Sequence, residues 1–286
     1  MAWTLYHAPV LEGPYAHAAR AARDMPGLHT LFRETTDRLT VRLVHARRQC
    51  RRVRIGPVAP LFDVSSFTVK GQYFAHALYE PGATGALLST LGPGHLFVDI
   101  GANAGYFTVL AALRVGSAGK VFSFEPNPSV RTQLEHHVRI NDLSDRVRIV
   151  DAALSDRHAD DVPFFVSCWP ENNGISSLTP SAETMWRGGL SADATIPVSV
   201  RTFDEWAAPL NLPHIDLVKI DVEGAEAQVL SGMRETFGRR PPRRIICETM
   251  PASAAAGFLR AQGYRQSMLD EIPGGIPNLL FEKVTG

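Results

Sequence analysis

Residues 96–105, LFVDIGANAG, constrain this chain more than any other stretch. Phe97, Val98 and Ile100 read as a strand buried on both faces, since a continuous apolar run of this length suits a parallel sheet. Gly101 and Gly105 supply a turn, and residues 106–114 read as the helix after it. A strand, a glycine turn and a helix start in immediate succession aim backbone N–H groups at whatever lies across the strand end. Such a unit demands further parallel strands and crossover helices around it, so the chain is expected to be α/β and doubly wound.

The spacing of the turn narrows what it holds. A dinucleotide fingerprint GxGxxG beginning at Gly101 needs glycines at 103 and 106, where the chain has Asn103 and Tyr106. What remains is DxGxNxG, with Asp99 inside the strand end. A second strand, residues 120–125, ends in Glu125 and is followed by Pro126 and Asn127. A carboxylate there can accept from both hydroxyls of a ribose, each charge-assisted bond contributing roughly 1.5–3 kcal/mol. An acidic first strand, a glycine turn and an acid closing the second strand resemble the class I S-adenosylmethionine-dependent methyltransferases. That resemblance implies a Rossmann-like, mostly parallel seven-stranded sheet.

Alternation continues along the chain, with strands expected at 96–100, 120–125, 147–152, 215–221, 244–248, 262–267 and 278–283. Residues 129–141 and 224–236 read as crossover helices. A second dense motif, IDLVKIDVEGAE at 215–226, carries Asp216 and Lys219 within a strand and Asp221, Glu223 and Glu226 around its end. Glu248 closes the strand at 244–248. In an open α/β sheet ligands sit beyond the carboxyl ends of the strands, which is where Asp99, Asp221, Glu223 and Glu248 converge. Residues 155–200 are broken by Pro163, Pro170, Asn172, Asn173, Gly174 and Pro180, and read as an irregular insertion acting as a lid. The expected organisation is an N-terminal extension over 1–78 and one catalytic domain over 79–286.

Six segments taken together are similar to the FkbM-type methyltransferases: FVDIGANAGYFT, FEPNP, DAALSD at 151–156, NGISSL at 173–178, LVKIDVEGAE and ICE at 246–248. The resemblance implies O-methylation of a hydroxyl on a secondary metabolite, such as a polyketide or macrolide, or on a sugar. It places the methionine part of the cofactor over Asp99, Gly101, Asn103 and Gly105, and the ribose at Glu125. The adenine falls between Pro126-Asn127 and Asp151-Ala152, with Asp221 and Glu223 near the sulfonium and the acceptor. Glu248 or Glu223 is the expected general base, with Lys219 and His214 as further candidates. Thr249 and Met250 follow Glu248 where relatives often have a histidine, which leaves the acceptor open.

Composition sets outer limits. The formal net charge is +0 and the pI about 7.2, which argues against a dedicated nucleic-acid binder. Lysine is scarce and arginine, alanine, glycine and proline are plentiful, as a GC-rich bacterial gene would encode. Cys50, Cys168 and Cys247 lack CxxC spacing and read as reduced thiols. None of the 10 histidines stands at HxxxH or HxH spacing, so no metal is expected; an acid-and-water Mg²⁺ site at Asp221 and Glu223 is the second reading. The start of the chain has no leader pattern and no apolar run approaches the roughly 20 residues of a membrane span, so the expectation is a cytoplasmic protein. Between residues 38 and 54 the arginines Arg38, Arg42, Arg47, Arg48, Arg51, Arg52 and Arg54 occur without an acid. They read as a solvated basic face, the alternatives being contact with a phosphate-bearing or carrier-bound acceptor, RNA, or a second copy in a homodimer. Of the other polar residues, Asp204 is expected to support the sheet or cap its own helix, Glu226 to be a first-turn acid, and His136 and His137 to be solvated. An NAD(P)-dependent oxidoreductase is the rival enzyme class, distinguished by binding of a nicotinamide cofactor.

Overall fold

The computed structural model describes residues 50–63, 79–167, 176–179, 190–212, 214–270 and 275–284. Its centre is a seven-stranded sheet built from β3 (Leu96–Ile100), β4 (Lys120–Phe124), β5 (Val147–Val150), β9 (Leu217–Ile220), β10 (Arg244–Glu248), β11 (Tyr264–Asp270) and β12 (Asn278–Lys283). The spatial order is β11-β12-β10-β9-β3-β4-β5. All pairings are parallel except those of β12, which runs against both β10 and β11. The expected doubly wound sheet is therefore present, with one reversed strand. Strand order turns back between β3 and β9, and that is the switch point where such sheets open a crevice.

Helices cover both faces because β3 is buried at every position. Phe97, Val121, Leu217 and Ile246 face α1 (Pro81–Thr90), α2 (Tyr106–Val115) and α3 (Pro128–Ile140). Val98, Ile100, Phe124, Val218, Ile220 and Cys247 face α4 (Phe203–Ala207), α5 (Glu226–Ser231), α6 (Arg234–Arg239) and α7 (Ala254–Ala261). Successive residues of each strand thus feed opposite cores, as the two-residue period of a strand requires. Asn127 caps α3 by accepting from Ser129 N at 3.1 Å.

Several expectations need correction. The helix expected over 224–236 is two helices, because the Gly232 carbonyl accepts from Asp204 N at 3.0 Å rather than continuing the ladder. Asp204 then caps the second helix of that pair, its carboxylate accepting from Glu235 N (2.7 Å) and from Thr236 N (2.9 Å). Its own helix is capped instead by Thr202. Residues 155–200 are not irregular in their described parts. β7 (Ala159–Ser167) and β8 (Leu190–Arg201) form an antiparallel ribbon joined by β6 (Ala153–Leu154). Phe164, Val198 and Val200 give that ribbon its own small core.

His137, expected in solvent, is fully buried. Its Nε2 accepts from Asp63 N at 3.1 Å, so Nδ1 carries the hydrogen and donates to Ala104 O at 2.7 Å. Burial pushes this imidazole down to about 4, keeping it neutral. Of the basic segment at 38–54, only residues 50–54 fall among those described. They include β1 (Cys50–Arg52), which pairs with β2 (Leu61–Asp63). The rest of that segment, and Cys168, lie outside the described residues. Among the described residues no helix is long and apolar enough to cross a membrane.

Candidate functional site

Beyond the carboxyl ends of β3, β4 and β9 lies a cleft enclosing about 640 Å³, part of it open to solvent. Its polar wall includes Gly101, Asn103, Glu125, Asp221 and Glu223, and its apolar wall Phe124, Ala152, Ala153, Leu154, Phe164 and Leu178. A few polar groups converging on a largely apolar slot suit a small organic ligand.

Gly101 shows why the turn needs glycine. Its φ is +81°, and a Cβ there would lie 1.9 Å from the Asp221 carbonyl oxygen. That close approach brings the ends of β3 and β9 together, and Asp221 N donates to Ile100 O at 3.0 Å across the same join. Gly105 serves packing: a Cβ would meet Leu134 Cδ1 at 2.5 Å, and Gly105 does not line the cleft.

Glu125 closes β4 and turns back into the cleft. Asn103 N donates to its Oε2 and Asn127 N to its Oε1, both at 2.9 Å. Each oxygen retains a lone pair, so the carboxylate can still accept from two ligand hydroxyls. Burial pushes the acid up to about 7, against those two donors and Arg131. Asn103 itself takes a φ of 50°, a strained left-handed geometry of the kind found at ligand clamps.

Behind this wall is a buried charge network. Lys219, 2% exposed, pairs with Asp221 at 2.7 Å, stands 4.0 Å from Glu80, and lies 4.5 Å over the Phe107 ring. Burial works against its charge, but Asp221, Glu80 and Asp99 outweigh it and hold the ammonium protonated. Asp99 accepts from Thr108 Oγ1 at 2.6 Å and is 1% exposed. Burial raises it to about 6, opposed by Lys219 and Thr108. Glu248 is pushed well above the usual carboxylate range by burial, by Asp221 and by a hydrogen bond shared with Asp221. It therefore carries the proton of that pair.

The structure thus sorts the sequence-derived residues. Gly101, Asn103, Glu125, Pro126, Ala152, Asp221 and Glu223 stand together at the cleft wall. Asp99 and Lys219 lie behind it, buried under the helices on that face; half-buried Glu248 does not line the cleft, but its carboxylate lies within 4.8 Å of those of Asp221 and Glu223. Asn127 is spent on its helix cap, and Asp151 pairs with Arg131 at the surface. His214 lies before β9, at the opposite edge of the sheet, where it pairs with Asp216 at 3.2 Å. Asp216 also accepts from Arg243 at 2.8 Å and from Leu96 N at 2.9 Å. Glu226 accepts from Gly224 N at 2.9 Å in the first turn of its helix, as expected.

Sequence reasoning missed Glu80, the partly buried Tyr79 whose side chain hydrogen-bonds it, and the place of Phe164 in the cleft wall. Glu80 precedes Pro81, a helix-start signal that also fixes the acid at the network. From the NGISSL segment, Ser176 and Leu178 line the cleft, and Ser177 Oγ donates to Glu223 O at 2.8 Å. The inserted ribbon is thereby tied to the turn after β9.

A parallel sheet reversed at one strand, a switch-point crevice and an acid-tipped second strand define a class I methyltransferase fold. The chain belongs to the FkbM methyltransferase family, whose domain matches residues 99–266. It is 28% identical over 152 residues to the 2-O-methyltransferase NoeI of Sinorhizobium fredii, covering 51% of this chain and 60% of that protein. To the 31-O-demethyl-FK506 methyltransferase FkbM of Streptomyces tacrolimicus it is 28% identical over 201 residues, covering 61% and 74%. Against NoeI, then, the chain spans about six-tenths of the relative's length. Among solved structures, a SAM-dependent O-methyltransferase of Thermotoga maritima aligns at 14% identity with a TM-score of 0.42, covering 73% of this chain and 66% of that one. Fibrillarin of Aeropyrum pernix, solved with S-adenosyl-L-methionine, aligns at 12% identity and 0.41, covering 68% of each.

Proposed function

We propose that this chain transfers a methyl group from S-adenosylmethionine to a hydroxyl oxygen of a small-molecule acceptor. The observation that carries the reading is the Glu125 carboxylate, locked by two backbone N–H groups and facing an apolar slot, with Asp221 and Glu223 across the same cleft. Glu125 takes the ribose hydroxyls; Phe124, Ala152, Leu154 and Phe164 flank the base. Two of the relatives bear names that place a methyl group on oxygen, which supports a hydroxyl acceptor.

When bound, S-adenosylmethionine supplies a methyl group already activated on a sulfonium. The protein's part is chiefly alignment, which can supply roughly 7–11 kcal/mol. Asp221, paired with the buried Lys219 ammonium at 2.7 Å, and Glu223 turn carboxylates toward a cationic ligand. Glu223, at the cleft wall with a strained φ of 53°, accepts the proton of the acceptor hydroxyl. Glu248, set behind Asp221 and already protonated, holds Asp221 in place.

Binding and turnover test this separately. Glu223→Gln should leave S-adenosylhomocysteine affinity within about threefold and lower kcat about 10²–10⁴-fold. Glu248→Gln, which keeps a neutral hydrogen-bond donor, should lower kcat less than about tenfold. Calorimetric binding of NAD(H) in place of S-adenosylhomocysteine would refute the cofactor assignment, and a larger loss in Glu248→Gln than in Glu223→Gln would exchange the two roles.

A further inference from the structure

Outside the cleft, three metal-ligating side chains converge where the N-terminal ribbon meets α3. Cys50 and Asp63 are directly opposed across the β1–β2 pair, so both side chains leave the same face of the ribbon. His136 approaches from α3, with its Nε2 3.5 Å from Asp63 Oδ2. One ligand atom from each of the three lies within 4.8 Å of the other two.

Two further observations distinguish this trio from a chance cluster. The Nε2 atom of His136 is buried and has no hydrogen-bond partner, although it is aimed at Asp63. A buried polar atom without a partner costs on the order of 1–3 kcal/mol unless something satisfies it. The elements carrying the ligands are also locked together independently of them. Asn141 clamps the backbone of Leu61 through bonds of 2.7 Å to its N–H and its carbonyl, and His137 receives Asp63 N. The ligands are thus held by elements that do not depend on the ion for their alignment, as a metal site needs.

We propose that Cys50, Asp63 and His136 bind a Zn²⁺ ion, with water in the fourth position, that staples the β1–β2 ribbon to α3. A thiolate, an imidazole nitrogen and a carboxylate form a borderline-soft donor set that suits Zn²⁺ over Mg²⁺ or Ca²⁺. On binding, the Cys50 thiol releases its proton to solvent and its sulfur bonds the metal. The Nδ1 of His136 accepts from Arg139 at 3.1 Å in the metal-free arrangement. Metal takes the Nε2 lone pair, the ring hydrogen moves to Nδ1, and the exposed guanidinium swings away. No sequence spacing announces the site because its ligands come from three separate elements. None of them lines the cleft, so the inference stands apart from the proposed reaction.

The test uses the full chain, stripped with a chelator and titrated with Co²⁺ or Zn²⁺ alone. Co²⁺ should give a near-ultraviolet thiolate-to-metal band that saturates at one ion per chain and is displaced by Zn²⁺. Zn²⁺ should raise Tm. Cys50→Ser, at an exposed position that packing does not depend on, should abolish the band. His136→Ala and Asp63→Asn should weaken Zn²⁺ affinity at least about tenfold. Affinity for S-adenosylhomocysteine should be unchanged in Cys50→Ser. Absence of the band, its survival in Cys50→Ser, or wild-type Zn²⁺ affinity in His136→Ala would overturn the assignment.

Discussion

Glu125 is 6% exposed, and its burial raises the carboxyl from an ordinary 4.5 to about 7. Because the folded value lies above the unfolded one, the empty protein favours the protonated acid. The stability this contributes is complete below pH 4.5 and is lost as the pH rises through about 7. At 1.36 kcal/mol per unit, the loss is about 3 kcal/mol. Ligand binding runs the other way. Ribose hydroxyls donate to an ionised carboxylate, so the affinity for S-adenosylhomocysteine should be highest above pH 7 and weaken by up to about tenfold per unit below it. Calorimetric titration between about pH 5.5 and 8 reads that slope directly. Asp99, raised to about 6, titrates in the same window but contacts Thr108 rather than the cleft. Glu125→Gln isolates the term, because it removes the slope due to Glu125 and leaves Asp99 in place. The amide also leaves one of two buried N–H groups without an acceptor, costing about 1–3 kcal/mol. A dissociation constant independent of pH, or a wild-type slope in Glu125→Gln, would refute the reasoning.

Gly101→Ala should destabilise the protein by about 3 kcal/mol or more in urea titration, since its Cβ must displace the Asp221 carbonyl and adopt a left-handed φ. The same variant should weaken S-adenosylhomocysteine binding, because Asp221 moves with the displaced strand end. Lys219→Met leaves Asp221 and Glu80 without their buried cation, and a loss of about 3–5 kcal/mol is expected. Asp204→Ala removes the cap of α6 and should cost about 1–2 kcal/mol in thermal unfolding without altering ligand affinity.

The central sheet was legible because each buried strand is a short run of apolar residues ended by an acid, a pattern that few other local structures produce. β3 and β10 were read to the residue, and the error at β5 was two residues past its end. The inserted ribbon was not legible. Pro163 and Pro197 break the local strand signal of β7 and β8, which are held by Phe164, Val198 and Val200 packing across a long sequence separation. The same limit applies at the site. The motifs located the acids, but which acid reaches the cleft depends on strand phase and on burial. Asp99 and Asp221 both stand at strand ends, yet one accepts from Thr108 in the interior and the other opens on the cleft. Glu80 enters the network from α1, more than a hundred residues from Lys219, and no local pattern links them.

The charge balance of the network bears on what the cleft can accept. Among the described residues Lys219 is the cation within reach of Asp221, Glu80 and Asp99, and Glu248 relieves the crowding by holding its proton. Asp221 and Glu223 are left facing the cleft. At an effective dielectric constant of about 20, one charge about 5 Å from a carboxylate interacts with roughly 3 kcal/mol of either sign. A sulfonium gains that energy from each acid it approaches. A pyrophosphate loses it, and here finds neither a second turn glycine, Asn103 standing in its place, nor, among the described residues, a basic side chain at the cleft wall to offset the loss. Substituting both Asp221 and Glu223 by their amides should therefore weaken S-adenosylmethionine, which is cationic at sulfur, more than S-adenosylhomocysteine, which is not. Equal weakening of the two ligands would show that these acids act through geometry and not through charge.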